Sequence, residues 1–284
     1  MTRRKVIAAL AGFLLYGCVI GFLPLPDRLI LFPTTQRIDA GAAQRRAIPF
    51  RGGEVEVWCA TSERARVAGK PELYVLRFYG NADRAERWVA DEAEMMSDRV
   101  VEVWGMNYPG FGGSTGPARL ESLGPAALAA FDELKRVAGD RPIIASGASL
   151  GTVTALHVAA ERPVAGAILH NPPALRQMIL GEFGWWNLWL LAGPLAQRIP
   201  PALDSVANAR VAHVRAIFML AEKDEIVSPK YQSLVVNAYA GEKRVISLAG
   251  ANHNSPVEAA ALTELYGSLE WLLEKRADTA VQPE

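Results

Sequence analysis

Residues 142–152 constrain this chain more than any other stretch. An apolar run, Pro142 to Ala145, leads into Gly147-Ala148-Ser149-Leu150-Gly151. Val153 to Ala160 then reads as a helix of small and apolar residues. Strand, sharp turn and helix succeed one another, with a serine at the apex. A turn that tight forces the serine backbone into a strained conformation, so the flanking positions must be almost free of side chain. It lifts the hydroxyl above a sheet and aims a helix N-terminus at it. The backbone N–H of Leu150 then faces the place where an oxyanion would develop. Gly-x-Ser-x-Gly arises by chance in roughly one such chain in ten. The motif therefore needs an acid and a histidine in a matching chain order.

The length of 284 residues suits one large α/β domain or two small ones. Half of the residues are apolar, enough for a sizeable core. Thirty basic residues balance thirty acidic ones, so no basic face is implied and nucleic acid is not an expected partner. Of the two cysteines, Cys18 lies within an apolar run, which argues against a disulfide framework with Cys59. No Cys/His cluster has metal-ligand spacing, and no metal or organic cofactor is expected.

Arg3-Arg4-Lys5 precedes a charge-free run from Val6 to Leu23. As a helix this run would span roughly 27 Å, close to a hydrocarbon core. Residues 1–27 are read as a membrane anchor, with a cleaved signal segment as the alternative. The basic residues hold the N-terminus inside, so the rest of the chain is expected on the extracytoplasmic side. Secretion or a periplasmic location after cleavage is the alternative. Leu15 to Cys18 loosely resembles a lipobox, but apolar sequence continues past the cysteine. Leu23-Pro24-Leu25-Pro26 should end the helix. Residues 28–46 are expected to be linker, with Leu29 to Pro33 an apolar collar at the membrane surface or the domain edge.

From residue 47 to residue 276 strand and helix patterns alternate. Strands are expected at 47–60, with a hairpin turn at Gly52-Gly53, and at 72–79, 100–104, 141–146, 164–170, 216–221 and 245–248. Helices are expected at 83–96, 124–138 and 257–275. This alternation implies an α/β fold with a mostly parallel central sheet and helices on both faces. Active sites of such sheets gather at the carboxyl ends of the strands. Residues 172–213 interrupt the pattern with Trp185, Trp186 and Trp189 and read as a short helical cap. Residues 277–284 read as a flexible tail.

The loops at the strand ends carry the candidate chemistry. Gly80 lets the backbone approach a ligand, and the N–H of Asn81 is a candidate second oxyanion donor. Asn107 to Gly116 is glycine-rich but has neither a phosphate-cradling lysine nor a helix directly after the strand. It reads as a tight loop that shapes the pocket. Asp224, just past the strand at 216–221, suits a histidine-orienting carboxylate better than Glu222 or Glu225. His253 lies between the last strand and the final helix. His157 sits on the helix after the serine and His213 precedes a strand. His170 ends a strand but comes before the acid.

The order Ser149, Asp224, His253 resembles that of the α/β-hydrolase superfamily. The chain is similar to its small membrane-anchored bacterial members of esterase- or serine-aminopeptidase-like type. The pieces that match are Phe-Tyr-Gly-Asn-Ala at 78–82, the segment 107–114, the serine turn, Glu-Lys-Asp-Glu-Ile-Val at 222–227 and Ala-Asn-His-Asn at 251–254. Relatives usually have histidine where this chain has Tyr79. The resemblance implies a serine hydrolase that cleaves carboxylic esters, thioesters or amides through an acyl-enzyme on Ser149. His253 would be the base, Asp224 its orienter, and Leu150 and Asn81 the backbone oxyanion donors. Tyr79, Trp185 and Trp186 are expected to line the substrate site. The expected partners are a small ester or acyl substrate and, through residues 1–27, a lipid bilayer. The rival expectation is a membrane-tethered binding protein that keeps the fold without turnover.

Overall fold

A computed structural model describes residues 2–22, 25–185 and 190–274, the side chains of residues 9, 17–22 and 25 excepted. The strands are β1 (Gln44–Phe50), β2 (Gly53–Thr61), β3 (Leu73–Phe78), β4 (Val101–Met106), β5 (Ile143–Ala148), β6 (Gly166–His170), β7 (Ala216–Ala221) and β8 (Lys243–Leu248). Among the described residues they form one eight-stranded sheet in the order β1-β2-β4-β3-β5-β6-β7-β8. β1 and β2 make an antiparallel hairpin, and β2 also runs antiparallel to β4. Every pairing from β4 to β8 is parallel. The chain leaves β3 towards β4 on one side, then returns to place β5 on the other. The carboxyl ends of β3 and β5 therefore flank a topological switch point, where α/β sheets form crevices.

The helices are α1 (Arg3–Phe22), α2 (Leu25–Ile30), α3 (Glu63–Ala68), α4 (Val89–Met95), α5 (Leu120–Ala138), α6 (Leu150–Glu161), α7 (Leu175–Phe183), α8 (Ala192–Gln197), α9 (Ser205–Val211), α10 (Pro229–Ala238), α11 (Ala259–Gly267) and α12 (Leu269–Leu273). Successive strand residues point to opposite faces of the sheet. Leu76, Phe78, Ala145, Leu169 and Phe218 bury one face beneath α5, α6, α9 and α10. Val75, Val103, Ile144, Ile168 and Ile217 bury the other beneath α4, α11 and α12. The fold is the expected one: a mostly parallel central sheet covered by helices on both faces.

Several boundaries differ from the sequence pattern, each for a tertiary reason. The expected linker is ordered at both ends, by α2 and by β1, which begins at Gln44. α5 begins at Leu120, with Pro125 inside the helix. Asp27, far away in sequence, accepts a hydrogen bond from the Leu120 N–H at 2.8 Å and caps it from outside. The helix expected at 83–96 starts only at Val89. Arg84 is extended and almost completely buried, because its guanidinium donates to the carbonyls of Thr34 and Gln36. The final helix divides at Ser268 into α11 and α12.

The cap is built from α7, α8 and α9, with a 3-10 turn at Pro201–Leu203. Trp185 is 71% exposed, while Trp186, Trp189 and residues 275–284 lie outside the described residues. The Tyr16 hydroxyl of α1 donates to the Leu190 carbonyl of the cap. Among the described residues, which exclude the side chains of residues 17–22 of α1, no helix is long and apolar enough to cross a membrane.

Candidate active site

Ser149 sits between β5 and α6 with φ 50° and ψ −122°, a combination that side chains rarely adopt. Its neighbours explain why the turn has this composition. A Cβ on Gly147 would lie 2.3 Å from the Gly151 carbonyl oxygen, and one on Gly151 would lie 2.1 Å from that of Phe78. Either would drive β5, α6 and β3 apart. Backbone bonds hold the strained residue. The Ser149 N–H donates to the His170 carbonyl at 2.8 Å, and the Ser149 carbonyl accepts from the Thr152 N–H and hydroxyl at 2.9 and 2.7 Å.

The structure brings Ser149, Asp224 and His253 together. His253 Nε2 lies 3.0 Å from Ser149 Oγ, and His253 Nδ1 lies 2.7 Å from Asp224 Oδ2. The carboxylate itself is fixed. Its Oδ1 accepts from the Ile226 and Val227 N–H groups at 2.9 and 2.7 Å, and its Oδ2 also accepts from Gln232 Nε2 at 3.1 Å. Asp224 is 3% exposed, so these bonds are made largely out of water. With the Asp224 carboxylate against Nδ1, the imidazole turns Nε2 towards the serine hydroxyl. Sequence reasoning missed Gln232, which also donates to the carbonyl of Val227 at 2.7 Å. Nothing in the local sequence marks a glutamine on α10 as a partner of an upstream loop.

The loop expected to supply the second oxyanion donor runs beside the serine at Gly80. Leu150 opens α6, so its N–H is among the four left open at a helix start. A Cβ on Gly80 would lie only 3.6 Å from Ser149 Cβ, and Asn81 follows it. Tyr79, expected at the substrate site, is elsewhere. It is 2% exposed, and its hydroxyl donates to Glu92 Oε2 on α4 at 2.8 Å. Burial, reinforced by the Glu92 carboxylate, pushes its phenol well above the usual range. Arg77 donates to the other Glu92 oxygen at 2.8 Å and to Ser146 Oγ at 3.2 Å. Tyr79 thus belongs to a buried polar cluster beside α4 and does not line a substrate site.

His170 ends β6 near this cluster. Burial, with the positive charges of Arg77 and His253, pushes its imidazole down to about 4, against the opposing pull of Asp224. His157 packs in α6, where a Cβ on Gly124 would meet its ring at 3.1 Å. The loop from Asn107 to Gly116 is tied by a buried knot. Glu56 Oε2 accepts from Asn107 Nδ2 and the Gly113 N–H at 2.7 and 2.8 Å, and Asn107 Oδ1 accepts from the Ala85 N–H at 2.9 Å. Tyr108 meets Thr154 of α6 at 2.8 Å. The loop therefore braces the domain beside β4. Among the described residues, no group of three His, Cys, Asp or Glu side chains is disposed to hold a metal ion.

An eight-stranded, mostly parallel sheet with a strained serine turn at its switch point defines the α/β-hydrolase class of fold. A family model described as alpha/beta hydrolase fold matches residues 75–200. The uncharacterized protein Rv2307c of Mycobacterium tuberculosis is 25% identical over 264 residues, covering 89% of each chain. Est1E from Butyrivibrio proteoclasticus superposes with a TM-score of 0.65 at 14% identity, over 81% of this chain and 99% of its own. A thermophilic esterase from Thermogutta terrifontis gives 0.57 at 18% identity, over 82% and 100%. The chain has the α/β-hydrolase fold, and the matched residues include β5 and the serine turn.

Proposed function

We propose that this protein is a serine hydrolase that cleaves carboxylic esters through an acyl-enzyme on Ser149. The observation that carries the reading is the hydrogen-bonded line from Asp224 through His253 to Ser149, ending on a serine held at φ 50°. A serine hydroxyl is a weak nucleophile until a base takes its proton. His253 Nε2, 3.0 Å away, is the base as Oγ attacks the substrate carbonyl. Asp224 holds the imidazole tautomer and stabilises the imidazolium that forms. The N–H groups of Leu150 and Asn81 take the charge of the tetrahedral oxyanion. The protonated His253 then gives its proton to the leaving alcohol. Water attacks the acyl-enzyme with His253 again as base, which frees the acid and restores Ser149.

Esters with an apolar acyl chain are favoured because the cap exposes Phe183, Trp185 and Leu190. The likeness in fold to Est1E and the Thermogutta terrifontis esterase supports the same choice. In this reading residues 1–27 tether the enzyme to a membrane, with the hydrolase domain on the extracytoplasmic side. The support is the charge-free run from Val6 behind Arg3-Arg4-Lys5 and the exposed side chains of Leu10, Phe13, Leu14 and Leu15 on α1. A series of p-nitrophenyl esters of increasing chain length tests the reaction. Turnover is expected in the parent protein and background rates in Ser149→Ala and His253→Ala. Undiminished turnover in either variant would refute the assignment.

A further inference from the structure

The segment that joins α1 to the domain does more than connect. Leu31 is 3% exposed and seats the segment in the core, while Asp27 caps α5. Between them and β1, residues 30–36 lie along residues 80–84. The side chain of Asn81 spans the two segments. Its Oδ1 accepts from the Phe32 N–H at 2.9 Å, and its Nδ2 donates to the Ile30 carbonyl. The same Oδ1 accepts from the Ala82 N–H at 3.2 Å, and Ala82 itself has φ 61°, an uncommon conformation for alanine. Further along, the buried Arg84 guanidinium holds the carbonyls of Thr34 and Gln36, and the Gly112 N–H donates to Thr34 at 2.9 Å.

Asn81 therefore has two separable parts. Its backbone N–H is the donor assigned above to the oxyanion. Its side-chain amide is committed, as donor and as acceptor, to the backbone of residues 30–32. An asparagine side chain has few torsions, so fixing its amide at both ends also fixes the orientation of its own peptide. A loop that contains Gly80 and a left-handed alanine has no helix or strand to hold that peptide.

The geometry points to Asn81 as a positioning residue: its side chain locks the oxyanion loop onto the collar at residues 30–32, and so aims the Asn81 N–H at the reacting carbonyl. The inference rests on the serine-hydrolase reading. Preorganisation of this kind acts on the charge that develops in the transition state, so its loss should fall on kcat and leave KM nearly unchanged. Removing an oxyanion donor outright costs about 10²–10³ in kcat, and misaiming one should cost about 10–100-fold.

The test uses full-length protein in detergent. The active sites of Asn81→Ala are titrated with a fluorophosphonate, and kcat and KM for a p-nitrophenyl ester are expressed per titrated site. A drop of about 10–100-fold in kcat per site is expected, with KM within about threefold. In the collar, Phe32→Pro deletes the N–H that Asn81 accepts and leaves the catalytic loop sequence intact. It should lower kcat per site similarly, and the double variant should be no worse than the poorer single one, because both break one device. Parental kcat per site in Asn81→Ala would overturn the inference, as would a loss confined to the number of titratable sites. Additive losses in the double variant would also overturn it. If Phe32→Pro does not fold, the per-site kcat of Asn81→Ala decides alone. A parent protein that neither turns over nor titrates would instead overturn the underlying reading, and this inference with it.

Discussion

Replacing Ser149 by glycine should stabilise the protein relative to replacing it by alanine. Both substitutions remove the hydroxyl and its 3.0 Å contact with His253, so that loss cancels in the comparison. They differ in the Cβ, which alanine keeps at φ 50° and ψ −122°. A side chain held in such a region costs about 1–3 kcal/mol. Against this, glycine loses more backbone entropy on folding, about 0.5–1 kcal/mol. The difference leaves Ser149→Gly more stable by about 1 kcal/mol, which is roughly 2–4 °C in melting temperature for a domain of this size. Thermal and urea unfolding of the two variants, followed by circular dichroism in one detergent, measures it. A Ser149→Gly protein that melts at or below the Ser149→Ala protein would refute the reasoning, since the turn would then store no strain in its Cβ.

Asp224→Asn should lower kcat by about 10⁴-fold, because an amide in that place favours the wrong imidazole tautomer; rates within tenfold of the parent would contradict this. Tyr79→Phe removes a bond to Glu92 but nothing that faces the serine. It should cost about 1 kcal/mol in urea unfolding and leave kcat within about twofold. His170 gives a pH signature. Its folded-state value of about 4 lies below the 6.5 of the unfolded chain. The unfolded chain therefore takes up the proton first as pH falls. The stability that neutral His170 contributes is complete above about pH 6.5 and is lost between there and about pH 4. It amounts to at most roughly 3 kcal/mol at 1.36 kcal/mol per pH unit. Measured by urea unfolding, the stability of the parent relative to His170→Gln should fall by most of that amount between pH 7 and pH 4.5; a difference that does not change with pH would reject the assignment.

What could be read from the sequence was local or ordered along the chain. The serine turn is legible because sterics demand small residues at Gly147 and Gly151, whatever else the chain does. The sheet is legible because apolar runs between helical patterns leave few arrangements. Asp224 and His253 stood out by following strands, and the structure places them within hydrogen-bond distance of each other. What could not be read depends on partners distant in sequence. Tyr79 follows an apolar strand just as a site residue would, and only Glu92 on α4 shows that it turns inward. The start of α5 depends on Asp27, and the late start of α4 on the grip of Arg84 on Thr34 and Gln36. Gln232 touches Asp224 from a helix whose own pattern reads as ordinary packing. The collar was expected at the membrane surface or at the domain edge, and its bond to Asn81 has no signature in either stretch.

The central claim is that one hydroxyl among the serines of this chain is made nucleophilic by its neighbours. The most direct measurement is reaction of the purified protein with a fluorophosphonate, followed by intact-mass analysis and peptide mapping. The account predicts a single adduct per chain, on Ser149, that disappears in His253→Ala. No adduct, an adduct on another residue, or labelling of Ser149 at the same rate without His253 would contradict it.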